Sequence, residues 1–374
     1  MYVHVPFCSS RCGYCDFNTY TATELGDTVR RDTFHEVLAD EVRFAARTLG
    51  DQARPVDTVF VGGGTPTLLG AGGLAHVVEA IRAELGIDAD AEVTTEANPD
   101  SVDERMLADL RAAGFTRISF GMQSTAPAVL RVLDRTHTPG ASLAMARAAT
   151  REGFAHVNLD LIYGTPGETD DDLRRSVEDA IAAGVDHVSA YALIVEDGTP
   201  LARRVRRGEL PAPDDDVLAD RYEIVDGLLE AAGLTWYEVS NWSRPGGECR
   251  HNLAYWRNAD WWGVGPGAHS HVDGVRWWNL KHPSAYAERV AVGESPEAER
   301  EVLTDDERHM ETVMLGLRLA DGLAVTQLTP EAAEGVPQLV DEGLLDPASA
   351  GEGRLVLTDR GRLLADAVIR RLVA

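Results

Sequence analysis

The sequence is almost without lysine and has few cysteines. Its 374 residues include only one lysine, Lys281, and four cysteines. The 35 basic residues are therefore nearly all arginine, and 61 acidic residues outnumber them, which gives a net charge of −26. Such an acid excess argues against nucleic acid or an anionic membrane as a main partner. No apolar run approaches the roughly 20 residues of a transmembrane helix, and no signal peptide is visible.

Three of the four cysteines, Cys8, Cys12 and Cys15, fall within eight residues of each other. This spacing lets one loop bring three thiolates, which are soft ligands, onto a zinc ion or an iron–sulfur centre. A cubane cluster normally takes four thiolates, so three leave one iron open to a small molecule. A zinc ion held by the same cysteines and His4 is the alternative. Cys249 is a candidate fourth ligand of the cluster. A disulfide is disfavoured because three cysteines cannot pair off and nothing indicates export, so we expect a cytoplasmic protein.

Apolar runs and amphipathic stretches alternate over most of the chain. This alternation predicts parallel strands with crossover helices, and six such units indicate an α/β fold with a partial (β/α)6-type TIM barrel over residues 1–294. Strands are predicted at Tyr2–Val5, Thr58–Val61, Glu92–Glu96, Arg117–Met122, Val157–Ile162, His187–Leu193 and Thr235–Val239, and helices at 28–49, 73–85, 103–113, 140–152, 170–183 and 215–232. Because the first strand begins almost at Met1, we expect the true start codon to lie upstream.

The strand at 157–161 alternates apolar and polar residues, with Asn158 and Asp160 on one face. Helices cover the outside of such a barrel, so the polar face points inward, where a lone carboxylate is costly unless something binds it. Polar side chains and a glycine loop, Gly62–Gly64, also lie near the carboxyl ends of the predicted strands, where barrel proteins bind ligands. These positions predict a ligand site inside the barrel mouth.

The pattern of predicted elements changes near residue 295. Residues 295–374 are predicted to form helices with a short β-ribbon, a small α+β, winged-helix-like module. We interpret this module as a lid or packing domain, because the acid excess disfavours DNA binding.

Several stretches together resemble the radical S-adenosylmethionine (SAM) superfamily, in its coproporphyrinogen oxidase-like branch. The stretches are 2–8 with the cysteine loop, 60–67, 96–99, 120–124 and 158–164. The resemblance implies a 4Fe–4S cluster on Cys8, Cys12 and Cys15, SAM on the open iron, and a reductant such as flavodoxin or ferredoxin. It also implies SAM contacts from Tyr2, Tyr14, Gly63, Gly64, Thr65, Glu96, Gln123, Arg135, Asp160 and Ala192. Of these, Glu96 and Asp160 would orient SAM by hydrogen bonding and not act as a general acid or base. We assign no catalytic residue. A surface helix position is the alternative for Arg135.

Two features distinguish subgroups of this branch. The oxygen-independent coproporphyrinogen III oxidases carry a further cysteine where this chain has Phe17, and the segment from His251 to Trp256 resembles a motif of the heme chaperones. That resemblance implies heme as cargo, delivered to hemoproteins of the respiratory chain. All seven tryptophans lie between Trp236 and Trp278, in an extension at 235–280 that suits a flat macrocycle, although a core patch is the alternative. His251 is the predicted heme contact; coproporphyrinogen III oxidation is the alternative function.

Overall fold

The computed structural model describes residues 1–25 and 29–373 and contains a sheet of six consecutive parallel strands. In chain order they are β1 (Tyr2–Val5), β2 (Val56–Gly63), β3 (Ile87–Ala97), β4 (Arg117–Gln123), β5 (His156–Tyr163) and β6 (His187–Ala192). Each strand pairs with the next in parallel register. The predicted strands are confirmed, and most extend one to a few residues further than the sequence indicated.

Six helices follow the strands in turn, as a (β/α)6 arrangement requires. They are α1 (Phe34–Leu49), α2 (Gly70–Glu84), α3 (Glu104–Ala112), α4 (Ala141–Arg151), α5 (Asp170–Ala182) and α6 (Asp215–Ala231). Side-chain caps begin several of them: Asp103 accepts from the Met106 amide, and Thr169 forms a capping box with Asp172. The first helix begins at Phe34 after a 3₁₀ turn, and the predicted start at residue 28 lies outside the described residues.

The sheet is extended at both edges but does not close. Gly263–Val264 pairs in parallel with β1, while Asn241–Ser243 pairs antiparallel with β6 and with Thr235–Glu238. Across the described ranges, the two outer strands do not pair with each other. The structure is therefore an open, partial barrel, as predicted.

The tryptophan-rich extension forms a second sheet beside the open edge. Its three antiparallel strands are His269–Val272, Val275–Asn279 and Glu297–Val302, with helices Arg250–Trp256 and Pro283–Ala291 next to them. Because residues 297–302 pair with this sheet, it crosses the boundary expected at 294/295. The division into two domains stays a prediction.

The C-terminal module has an apolar core of its own, which includes Leu339, Leu345 and Leu355. Its two-stranded ribbon consists of Leu323–Ala324 and Arg354–Leu355. Its helices are Asp305–Gly316, Pro330–Glu334, Val336–Asp341, Pro347–Gly351, Asp359–Leu363 and Ala365–Leu372. The last two helices are separated at Leu364. Arg362 donates to Asp226 of α6 at 2.6 Å and thereby ties the module to the barrel.

Shorter elements complete the fold: the paired strands Phe7–Cys8 and Tyr20–Thr21, the helices Ala22–Leu25, Pro127–Val132 and Pro200–Arg206, and 3₁₀ turns at Arg31–Thr33, Gly50–Gln52, Pro66–Leu69, Pro99–Ser101 and Val325–Gln327. No helix within the described ranges has the length and apolarity needed to cross a membrane.

Candidate cluster and ligand site

The cysteine loop leaves the carboxyl end of β1 and is fastened to the barrel at several points. The Gly13 amide donates to the Leu133 carbonyl at 3.0 Å, and the Gly13 carbonyl accepts from the Leu201 amide at 2.8 Å. Cys8, Cys12 and Cys15 are half-buried. Burial raises the pKa of Cys8, and it raises the pKa of Cys15 to about 11, with further contributions from the neighbouring thiols. A positively charged centre among the sulfurs would reverse this effect, because metal ligation favours the thiolate.

The geometry disfavours a zinc site at the same loop. Ligands of a single zinc ion converge at about 2.0–2.3 Å from it. In the part of the chain that the structure describes, no three His, Cys, Asp or Glu side chains are gathered in that way. Both ring nitrogens of His4 are engaged, Nδ1 with the Tyr2 hydroxyl and Nε2 with the Asn18 carbonyl, each at 2.9 Å. Sulfurs that each bind a different iron of a cubane need no such convergence, so the loop fits a cluster better.

Cys249 does not belong to this loop. Its thiol lies 3.5 Å from Glu92, whose other carboxylate oxygen pairs with Arg117 at 2.9 Å. Arg117 is the first residue of β4, whereas the cysteine loop faces the carboxyl ends of the strands. Cys249 is therefore near the opposite end of the barrel and is not a fourth cluster ligand.

The glycine loop after β2 packs directly under the cysteine loop. The Gly64 amide donates to the Val5 carbonyl at 2.8 Å, and the Thr65 amide donates to the Phe7 carbonyl at 2.7 Å. A Cβ at Gly64 would lie 2.4 Å from the Phe7 carbonyl oxygen and 3.0 Å from the Cys8 sulfur. Gly63 has φ +109°, a conformation open mainly to glycine. These glycines are thus required for the approach of the two loops, and they form a cradle beside the sulfurs.

Two half-buried carboxylates, Glu96 and Asp160, line the barrel interior beside the cradle. Glu96 accepts from the Gly63 amide at 3.0 Å; burial, with the nearby Asp160 charge, raises the pKa of Glu96 to about 8. Asp160 accepts from Ser119 at 2.8 Å and from Asn158 at 2.7 Å, and burial raises its pKa as well. Neither forms an ion pair within the described residues. Two carboxylates without an ion-paired partner suit a cationic ligand such as SAM.

Arg135 connects the cysteine loop to the end of β4. Its Nη2 donates to the Gly121 carbonyl at 2.8 Å, and its Nη1 lies 3.5 Å from the Cys12 sulfur. These two contacts exclude the alternative that Arg135 is an ordinary surface residue. Gln123 ends β4 at a register shift with φ +65°, so its side chain leaves the regular alternation of the strand.

The remaining predicted SAM contacts also lie around the site. Tyr14 is half-buried next to Cys12 and Arg135, and its partial burial, with the nearby Cys12 charge, raises its pKa. Tyr2 begins β1 and stacks on Phe60, and the half-buried Ala192 ends β6. The structure thus brings the predicted residues to one end of the barrel, although their contacts with SAM stay a prediction.

His251 lies inside the barrel, away from the cysteine loop. Its Nδ1 is 2.8 Å from the Thr58 hydroxyl, its Nε2 is 2.9 Å from the Tyr255 hydroxyl, and its ring stacks on Phe60. Burial lowers its pKa well below the usual value. Direct ligation of heme iron would require one of these hydrogen bonds to break. In this conformation, Tyr255 is the group through which His251 reaches the larger cavity described next.

Two cavities share the wall formed by Tyr2 and Tyr255. The interior cavity has a volume of about 140 Å³ and is lined by Glu96, Asp160 and His251, among others. The second, which we call the mouth cavity, has a volume of about 950 Å³. It lies between the cysteine loop, the tryptophan-rich sheet and the first helix of the C-terminal module. Only the mouth cavity is within the range typical of sites for larger ligands.

Glu41 is a structurally important residue that the sequence reasoning missed. This buried carboxylate accepts from the Gly265 amide at 2.7 Å, from Asn279 at 2.7 Å and from the Tyr286 hydroxyl. It thereby holds the glycine-rich turn at 263–267 against β1. Its signal in the sequence was an acid on the apolar face of α1, between Leu38 and Val42.

Known proteins resemble this chain in sequence and in fold. A sequence profile of the radical SAM superfamily matches residues 2–180. The heme chaperone HemW of Mycobacterium tuberculosis (strain H37Rv) is 58% identical over 373 residues, covering 100% of this chain and 94% of that protein. HemW of Bacillus subtilis (strain 168) is 33% identical over 374 residues, covering 98% and 97%. The structure of Escherichia coli coproporphyrinogen III oxidase (HemN), a radical SAM enzyme, superposes with a TM-score of 0.84 at 23% identity, covering 100% of this chain and 89% of that chain, which supports the fold.

The cysteine loop and the profile match together define a radical SAM protein. Within that superfamily, the full-length identities show that the chain belongs to the HemW family.

Proposed function

We propose that the protein is a heme chaperone that carries a 4Fe–4S cluster on Cys8, Cys12 and Cys15, binds SAM beside it, and delivers heme to hemoproteins. The observation that carries this proposal is the 58% identity to the M. tuberculosis heme chaperone over the full chain. We place it in the cytoplasm, where reducing conditions keep its cysteines available as thiolates.

The residues around the loop have distinct roles in this proposal. When bound, the cluster would supply a reducing centre with one open coordination position. Arg135 lies 3.5 Å from the Cys12 sulfur and would stabilise its negative charge. Glu96 and Asp160 would orient SAM, because its positive charge compensates their burial. Tyr2, Tyr14, Gly63, Gly64, Thr65, Gln123 and Ala192 would shape the rest of this site. Flavodoxin or ferredoxin would act as the reductant.

For heme, we propose that His251 acts through Tyr255, to which it is hydrogen-bonded at 2.9 Å. The Tyr255 ring in turn contacts the Trp261 ring edge-on, with centroids 4.8 Å apart. A chain of rings therefore leads from the barrel interior to the mouth cavity. The acceptors we propose are hemoproteins of the respiratory chain.

The test begins with anaerobic reconstitution using iron and sulfide. The wild type should gain the charge-transfer absorption of a 4Fe–4S cluster, and the triple variant with Cys8, Cys12 and Cys15 changed to alanine should not. Cys249→Ala is the matched control and should reconstitute normally, because Cys249 lies near the opposite end of the barrel. Bound zinc without acid-labile sulfide would contradict the cluster proposal.

The second stage separates the chaperone from an enzyme. The reconstituted protein is titrated with heme, then incubated with an apo-hemoprotein, and separately with coproporphyrinogen III, SAM and a reductant. We expect heme binding and transfer without decarboxylation. Turnover of coproporphyrinogen III would favour the oxidase instead.

A further inference from the structure

The mouth cavity has three groups of side chains that match the three chemical parts of heme: a flat macrocycle, an iron and two carboxylates. Its volume of about 950 Å³ is large enough for a ligand of this class, whereas the interior cavity has about 140 Å³. A ligand of the size of heme therefore fits the mouth cavity but not the interior cavity.

Aromatic side chains line the mouth cavity on more than one element. Phe17 of the cysteine loop is 59% exposed and lines this cavity. Tyr255 and Trp261 line the same cavity from the tryptophan-rich segment. Aromatic faces of this kind stack on a flat apolar ring system.

Two histidines, His4 and His269, line this cavity. Both nitrogens of His4 are hydrogen-bonded. The ring of His269 is different: among the described residues, neither of its nitrogens has a hydrogen-bond partner. The ring stacks on Trp278 with centroids 5.5 Å apart, which favours one orientation, and the backbone carbonyl of His269 accepts from the Trp261 indole at 3.0 Å. A neutral, oriented imidazole facing a cavity is a suitable ligand for heme iron.

The cations of the mouth cavity are Arg11, Arg276 and Lys281. Arg11 pairs with Glu24 at 3.1 Å, and Arg276 pairs with Glu311 at 2.6 Å. Lys281, the only lysine of the chain, is exposed and forms no ion pair within the described ranges. In a protein with a net charge of −26, an uncommitted cation at a cavity is a natural partner for a carboxylate.

We propose that heme binds in the mouth cavity, with His269 as the iron ligand, Phe17 and Trp261 against the macrocycle, and Lys281 at a propionate. This inference rests on the proposed heme-chaperone function and assigns it a site. His251 then supports the wall residue Tyr255 and does not bind iron.

The experiment is a heme titration of the anaerobically reconstituted protein, followed by the Soret band. His269→Ala should lower the affinity by about tenfold or more. It should also remove the histidine-ligated spectrum, which added imidazole should restore. His269→Gln keeps a side chain over Trp278 and should behave in the same way, so a folding defect can be told from a lost ligand. Phe17→Ala and Lys281→Gln should each weaken binding several-fold.

His309→Ala is the control, because His309 does not line the cavity; it should bind heme as the wild type does. A wild type that binds no heme would overturn the proposed function together with this site. A wild type that binds heme, with a histidine-ligated spectrum that persists in His269→Ala and His269→Gln, would overturn the site alone. A His251→Ala variant that still binds heme but has lost the histidine-ligated spectrum, with His269 intact, would also overturn it.

Discussion

The raised pKa of Glu96 leads to a quantitative prediction of how the free energy of unfolding depends on pH. Its pKa of about 8 in the folded chain compares with an ordinary value of 4.5. Between these two values the folded state holds a proton that the unfolded state releases, so the folded state loses stability as pH rises. With these two pKa values, the loss between pH 5.5 and 7.5 is about 2–3 kcal/mol. Glu96→Gln removes the titrating group and should remove that slope.

The assay is urea denaturation of the metal-free chain at several pH values, with wild type and Glu96→Gln compared at each. Other buried acids, such as Glu41 and Glu168, also have raised pKa values, so the difference between the two proteins is the informative quantity. This difference should grow in favour of Glu96→Gln by about 2–3 kcal/mol from pH 5.5 to 7.5. A constant difference would show that Glu96 is ionised in the folded chain, and that the argument for an uncompensated carboxylate fails.

Other substitutions test the loop, the ion pair and the cluster environment. Gly64→Ala should destabilise the chain by about 1–3 kcal/mol and hinder cluster incorporation, whereas Gly72→Ala, in open space on α2, should be neutral or slightly stabilising in thermal melts. Glu92→Gln breaks a buried ion pair and should cost about 3–5 kcal/mol in urea denaturation. Glu104→Gln, at an exposed pair, should cost less than about 1 kcal/mol. Arg135→Gln removes a cation beside the Cys12 sulfur, so the reduction potential of the reconstituted cluster should become more negative, and Arg135→Lys should retain most of the original value. Unchanged values in Gly64→Ala, Glu92→Gln or Arg135→Gln would contradict the corresponding contact.

Periodicity predicted the barrel because each strand and helix is encoded locally. The alternation in β5 placed Asn158 and Asp160 inward, and the structure connects them to Ser119 in one hydrogen-bonded network. Helix ends followed equally local signals, such as the cap at Asp103.

Contacts between segments far apart in the chain were harder to predict from the sequence. Glu41 meets Asn279 across 238 residues, and no local pattern encodes that pairing. The same holds for His251, whose place opposite Thr58 depends on how a late segment enters the barrel. Residues 297–302 were assigned to the C-terminal module by composition. In the structure they pair with Val275–Asn279, a tertiary contact that composition does not reveal.

The side chain of Asn18 joins the two halves of the mouth cavity. Its amide donates to the Pro266 carbonyl at 2.9 Å and to the Lys281 carbonyl at 2.8 Å, while the backbone carbonyl of Asn18 accepts from His4 Nε2 at 2.9 Å. One amide group thus joins the cysteine loop to the wall of the mouth cavity. On the proposed function, damage to the cluster by oxygen should therefore also weaken heme binding, and heme release should be sensitive to oxidative stress.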